Sequence, residues 1–184
     1  YNAFGANDTL TVNSGITMTG KASFFSTNGE LLNNGTMTTN DNVISGSGAI
    51  STITNNGSLI NTGGVYVMSF TSTVDTITNN GTLSTSGQDV RALAAVTNFN
   101  NAQGKKNSNP VSWQFTGPTN YNIIINSTSD YGQLQSVSFS GAPQFGIHSS
   151  STLACATTYT SVLLGVSTSN LAATRTGTYN GIDW

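Results

Sequence analysis

The chain has 184 residues, a formal net charge of −2 and charged side chains at only 7% of positions, against roughly 25% in an average soluble domain. Its five scattered basic residues cannot neutralise a row of phosphates, which argues against a nucleic-acid partner, and apolar runs such as Ile123-Ile124-Ile125 are too short to cross a bilayer. Disorder is the usual reading of a Ser-, Thr-, Asn- and Gly-rich chain. It conflicts here with 36% hydrophobic residues that recur in short alternating runs of the β type.

The chain opens at Tyr1 without a leader and reads as a mature product or a fragment. The segment from Tyr1 to Gly15 holds one acid, Asp8, and neither base nor proline, so a strand there has a poorly defended edge. Three gapless repeats follow: Leu31-Leu32-Asn33-Asn34-Gly35-Thr36-Met37, Ile53-Thr54-Asn55-Asn56-Gly57-Ser58-Leu59 and Ile77-Thr78-Asn79-Asn80-Gly81-Thr82-Leu83. Their glycines are 22 and then 24 residues apart. Looser copies flank them at Val12-Asn13-Ser14-Gly15 and at Val96-Thr97-Asn98-Phe99-Asn100-Asn101.

Periods of about 20 residues are too short for ankyrin, tetratricopeptide or propeller units and fit one turn of a β-solenoid. The expected fold is therefore all-β, a solenoid of four to five coils with a C-terminal β cap. A β-sandwich whose hairpins turn at Asn-Gly is the alternative. Leu31, Ile53, Ile77 and Val96 are expected in one interior column, and Met37, Leu59 and Leu83 in another. The Asn pairs at 33–34, 55–56 and 79–80 are expected to stack as amide ladders. Gly35, Gly57 and Gly81 are expected at corners that demand positive φ. Residues 1–100 are assigned to the coils and 101–110, with Lys105-Lys106, to a loop. Residues 111–184 are assigned to a cap whose strands lie in Tyr121–Ile125, Tyr131–Phe139, Phe145–His148, Tyr159–Leu164 and Thr178–Trp184. A cap is needed because a last coil exposes both core and unpaired edges.

The Ile-Thr-Asn-Asn-Gly repeats, Asn122-Ile123-Ile124-Ile125, Tyr131-Gly132-Gln133-Leu134, Tyr159-Thr160-Ser161-Val162-Leu163 and the ending Gly177-Thr178-Tyr179-Asn180-Gly181-Ile182-Asp183-Trp184 together resemble passenger regions of bacterial autotransporters with a pertactin-like autochaperone segment. The resemblance implies a bacterial, extracellular or outer-surface setting. The translocating barrel usual in that family is not in this sequence, and such passengers are usually longer.

The search for chemistry yields little. The acids Asp8, Glu30, Asp41, Asp75, Asp89, Asp130 and Asp183 form no repeated pair of the kind glycoside hydrolysis needs. The single His148 lacks a recognisable nucleophile and acid. Cys155 in Leu153-Ala154-Cys155-Ala156 reads as a small buried residue, or else as one half of an intermolecular bridge. One His, one Cys and no acidic calcium loop give no reason to expect a metal or other cofactor. The sequons at Asn7, Asn34, Asn56, Asn80 and Asn126 follow from the repeat itself. The function expected is non-enzymatic: a stiff surface module, structural or adhesive, that either joins other copies of itself head to tail or by strand addition, into filaments, or belongs to a longer surface passenger. A carbohydrate-binding or carbohydrate-active protein is the rival, with glycans or a neighbouring cell surface as partner and Trp113, Tyr121 and Tyr159 as aromatic candidates.

Interior placement of Ile77 predicts that Ile77→Asp destabilises the fold by several kcal/mol, of order ~3–5, because it buries an unpaired carboxylate. Thermal or urea unfolding checks it, and an unchanged midpoint would place Ile77 outside.

Overall fold

The computed structural model describes residues 2–24 and 27–184, and side chains at all of these but 2, 3, 137 and 139. Of the expectations above, those touching Tyr1, Phe25, Ser26 and the side chain of Phe139 lie outside the described residues. The chain winds into a β-solenoid of about six turns, against the four to five expected.

Each early turn contributes one strand to each of three sheets. The first turn holds β1 (Asn2–Phe4), β2 (Thr9–Val12) and β3 (Thr17–Thr19). The second holds β4 (Ala22–Phe24), β5 (Gly29–Asn33) and β6 (Thr36–Thr39). The third holds β7 (Ile44–Gly46), β8 (Ile50–Asn55) and β9 (Ser58–Asn61). The fourth holds β10 (Tyr66–Phe70), β11 (Val74–Asn79) and β12 (Thr82–Ser84). After that the third sheet stops and the other two continue. They take in β13 (Gln88–Ala92) and β14 (Val96–Asn101), then β15 (Val111–Thr116) and β16 (Asn120–Ile123). Beyond the short antiparallel pair β17 (Ile125–Ser127) and β18 (Asp130–Tyr131) come β19 (Leu134–Ser140), β20 (Gln144–Ile147) and β21 (Leu163–Leu164). A two-stranded hairpin, β22 (Thr178–Tyr179) and β23 (Ile182–Asp183), ends the chain.

The first sheet runs β1-β4-β7-β10-β13-β15-β19-β21, the second β2-β5-β8-β11-β14-β16-β20 and the third β3-β6-β9-β12. Neighbouring strands in all three are parallel, which separates this fold from a hairpin sandwich. The coil thus runs on past residue 100 into the segment read as its cap. Residues 102–110 carry a one-turn 3-10 helix at Lys105–Asn107 and a single antiparallel bridge from Gly104 to Gly132.

Parallel, in-register stacking sets like residues over like. One interior column runs Leu10, Leu31, Ile53, Ile77, Phe99, Tyr121, Phe145. Val96 does not belong to it. It stacks on Val74, next to Ile50, where the chain enters the second sheet, and the place beside Ile77 is taken by Phe99, 22 residues on and not 19. The column Met18, Met37, Leu59, Leu83 fills the third sheet's inner face, with the last three fully buried. In the first sheet Phe24, Gly46, Phe70 and Ala92 stack in turn, so large and small residues alternate along the axis and the rings have room to pack.

Asn33, Asn55, Asn79 and Asn101 are wholly buried and form one ladder. Each Nδ2 donates to the next Oδ1, at 2.8, 2.9 and 3.1 Å. The second proton of Asn33 goes to the Ser58 carbonyl and that of Asn55 to the Thr82 carbonyl, both at 3.2 Å. The amides therefore turn a corner inside the core without an unsatisfied group. Asn34, Asn56 and Asn80 make a second ladder at the surface, at 2.8 Å per step.

The corner glycines act for a different reason from the one expected. Gly35, Gly57 and Gly81 do not have positive φ. Instead, a Cβ on Gly57 would overlap the Gly35 carbonyl oxygen, and one on Gly81 the Gly57 carbonyl. Backbone passes directly over backbone, and only glycine leaves space for it.

The two ladders should differ sharply in worth. Asn79→Ala leaves buried partners without bonds and should cost about 2–4 kcal/mol, whereas Asn80→Ala, in water, should cost under about 1 kcal/mol. Urea denaturation of both variants measures the contrast.

Candidate functional site

The buried amide ladder ends in a plug. Gln103 lies where a fifth strand of the third sheet would run, and its side chain stands in for that strand's backbone. Oε1 accepts from the Leu83 N–H at 2.6 Å, and Nε2 donates to the Leu83 carbonyl at 3.1 Å. Asn101 closes the ladder on the carbonyls of Gln103 and Gln133, at 2.8 and 3.2 Å. Above this point the amide column turns apolar, with Ile123 and then Ile147 over Asn101. The plug blunts the edge of β12. No repeat signal marks it, but a Gln two residues past the last ladder Asn is its trace in the sequence.

The other two sheets end differently. Among the described residues β20 is the terminal strand of the second sheet, and β1, β2 and β3 are terminal at the opposite end of the coil. Phe4, Leu10 and Met18 sit there half-buried, and Ile16 is 54% exposed. Phe145 and Ile147 of β20 are likewise half-buried and line a cleft of about 590 Å³ with Leu153, Tyr159, Val162 and Trp184. Trp184 meets Phe145 edge-on at 5.6 Å between centroids. Its hairpin is tied down by Tyr179, whose hydroxyl bonds the Ser149 and Ser151 carbonyls at 2.8 Å each. Tyr131 holds the far wall, edge-on to Tyr159 at 5.2 Å and donating to the Thr160 carbonyl at 3.1 Å.

The remaining candidates are scattered. Trp113 and Tyr121 are core residues, 0% and 1% exposed, so neither offers a ring to a glycan. Alternation along their strands points both inward. Of the three aromatic candidates only Tyr159 reaches a cleft. Cys155 is exposed, not buried as its apolar neighbours suggested, and has no disulfide partner. Lys106 pairs with Asp130 at 3.2 Å, and Lys21 with Asp41 at 3.2 Å. The Asn42 N–H, with Lys21, holds the Asp41 carboxyl below its ordinary value. Asp8 accepts from the Gly5 N–H and Asp183 from the Thr178 hydroxyl. His148 closes a local turn through Nδ1 to Ser150 Oγ at 2.8 Å, and burial pushes its imidazole down. Among the described residues no three metal-ligating side chains converge, and no helix is long and apolar enough to cross a membrane.

No protein-family model matches this chain, and the searches of curated proteins and of solved structures found no match to it either.

One carboxylate is displaced far from its ordinary range. Asp89, 6% exposed, accepts from Ser112 N at 2.8 Å and Ser112 Oγ at 2.9 Å. Burial outweighs these bonds and pushes its pKa up to about 6. The folded state thus holds this proton more tightly than the unfolded chain. Its contribution to stability is complete at and below the ordinary carboxylate range and is lost as pH rises through about 6. A displacement of that size is worth about 3 kcal/mol. Asp89→Asn, which keeps the acceptor oxygen, should flatten the dependence between about pH 4 and 6 and raise stability at pH 7. Chemical denaturation across that range checks it.

Proposed function

We propose that this protein is a non-enzymatic, extracellular structural module, a stiff β-solenoid rod that joins head to tail with further copies of itself. The observation that carries this reading is the match between its two end strands. β2 reads Thr9-Leu10-Thr11-Val12 and β20 reads Gln144-Phe145-Gly146-Ile147. Among the described residues they are the two outermost strands of the same sheet. Leu10 and Phe145 are the two ends of one interior column, and Val12 and Ile147 the two ends of another. Laying β2 of one copy on β20 of the next continues the stack by one step of about 4.8 Å. With the Trp184 ring that meets Phe145 in the separate copy displaced, Leu10 covers Phe145, Val12 covers Ile147, and the polar Thr9 and Thr11 stay outside. This is strand addition, in which backbone bonds give affinity and alternate side chains give register. A contact between unlike ends does not close on itself, so it propagates into filaments.

The near absence of charge supports the same reading, since charged edges are the usual defence against such pairing. The likeness of the repeats to bacterial autotransporter passengers supports an outer-surface setting.

Two variants, each blocking one end, test the proposal. Leu10→Asp and Ile147→Asp each bury a charge in the junction, while each leaves the opposite end intact. The unaltered chain should show concentration-dependent polymers in sedimentation velocity and electron micrographs, and either variant alone should remain monomeric and folded by circular dichroism. Mixed together, the two should stop at a one-to-one complex. An unaltered chain that stays monomeric at high concentration, or a mixture that forms no pair, would refute head-to-tail joining.

A further inference from the structure

By the alternation of β15, Phe115 belongs in the core. Val111 and Trp113 point inward and are fully buried, and the residues that precede Phe115 in its column, Ala92 and before it Phe70, are 0% exposed. Phe115 is instead 40% exposed. Its φ of 75° lies in the left-handed region, which a bulky side chain rarely adopts and which costs stability. The distortion is held in place. Trp113 Nε1 donates to the Thr116 carbonyl at 2.8 Å, and β19 carries an extra residue opposite the Trp113–Gln114 step, which bends the strand locally.

The ring so turned out is braced and set into a wall. The Arg91 guanidinium lies 5.6 Å from the Phe115 centroid and 5.6 Å from that of Tyr66, and donates to Ser69 Oγ at 3.3 Å. Phe115 borders an open groove of about 570 Å³ on the outside of the first sheet. Ser136, Ser138 and Ser140 line it from β19, Thr116 from β15, and Ser167 and Asn170 from the segment beyond β21. Among the described residues no charged side chain lines it.

We propose that this groove is a binding site for a neutral saccharide. A pyranose ring has an apolar face that stacks on an aromatic side chain, and a rim of hydroxyls that exchange bonds with serine, threonine and asparagine. A groove lined by the Phe115 ring, Leu93 and several hydroxyls, whose nearest cation, the Arg91 guanidinium, is engaged with the Phe115 and Tyr66 rings and Ser69, matches that chemistry. Among the described residues its lining holds no carboxylate of the pair that hydrolysis requires. The stored backbone distortion is the mark of a residue positioned for contact and not for packing. The site lies on the side of the rod and does not depend on the head-to-tail reading.

Titrating the full chain with cello-, xylo- and manno-tetraose, and with tetragalacturonate as the charged arm, tests it by calorimetry and ligand-observed NMR. At least one neutral tetraose should bind, and the charged arm should bind no better. Phe115→Gly should weaken binding at least about tenfold, yet raise Tm by about 2–4 °C because glycine relieves the left-handed residue. Phe115→Tyr should keep binding. Failure of every neutral tetraose to bind, a preference for tetragalacturonate, undiminished binding by Phe115→Gly, or a lower Tm in that variant would each overturn the proposal.

Discussion

Everything in this molecule follows from stacking parallel strands in register at the interstrand spacing of about 4.8 Å. Each residue must be compatible with whatever occupies the same position one turn above and below. Aliphatic residues meet that demand by packing, asparagines by passing an amide bond along the axis, and glycines by yielding space where carbonyls cross. Charge does not meet it, because like charges would be repeated at close range. The low content of charged residues is therefore a condition of the architecture as much as a feature of its surface. The pairs that do occur, Lys21–Asp41 and Lys106–Asp130, set opposite signs against each other.

Legibility in the sequence tracked how strictly this rule was repeated. Leu31, Ile53 and Ile77 could be placed in one column because the Asn-Asn-Gly frame travels with them. Val96 could not, because the frame had decayed: the chain enters the second sheet in the same register as the turn before, Val96 on Val74 and Phe99 on Ile77, but Val96-Thr97-Asn98 imitates the Ile77-Thr78-Asn79 word three residues too early, and an aromatic residue, Phe99, holds the column. Beyond residue 110 the column continues through Tyr121 and Phe145 while the amide position becomes isoleucine. The turns persist there without any repeated word to reveal them. The glycine positions were correct and their cause was not, since close approach between turns is a property of the stack and leaves no local mark.

The candidate surfaces were harder to read for a related reason. Alternation correctly assigns Trp113 to the core, and by the same rule it assigns Phe115 there. Only the left-handed backbone at that residue breaks the rule, and backbone angles are not written in residue types. Gln103 is similar. An amide side chain that replaces a strand has the composition of an ordinary loop residue, and its role appears only once Leu83 lies beneath it.

The winding of the chain also sets how the rod would bear load. Strands lie across the axis, and successive turns are joined by hydrogen bonds and by one covalent crossing per turn. Tension along the axis therefore loads the turns in series, and the outermost yields by peeling away from its neighbour. Each turn holds about 22 residues, the separation of the paired ladder asparagines. It advances the rod by about 4.8 Å when folded, yet releases roughly 75 Å of contour when drawn out. A rod of this construction would be stiff at low force and extend more than tenfold, turn by turn, at high force.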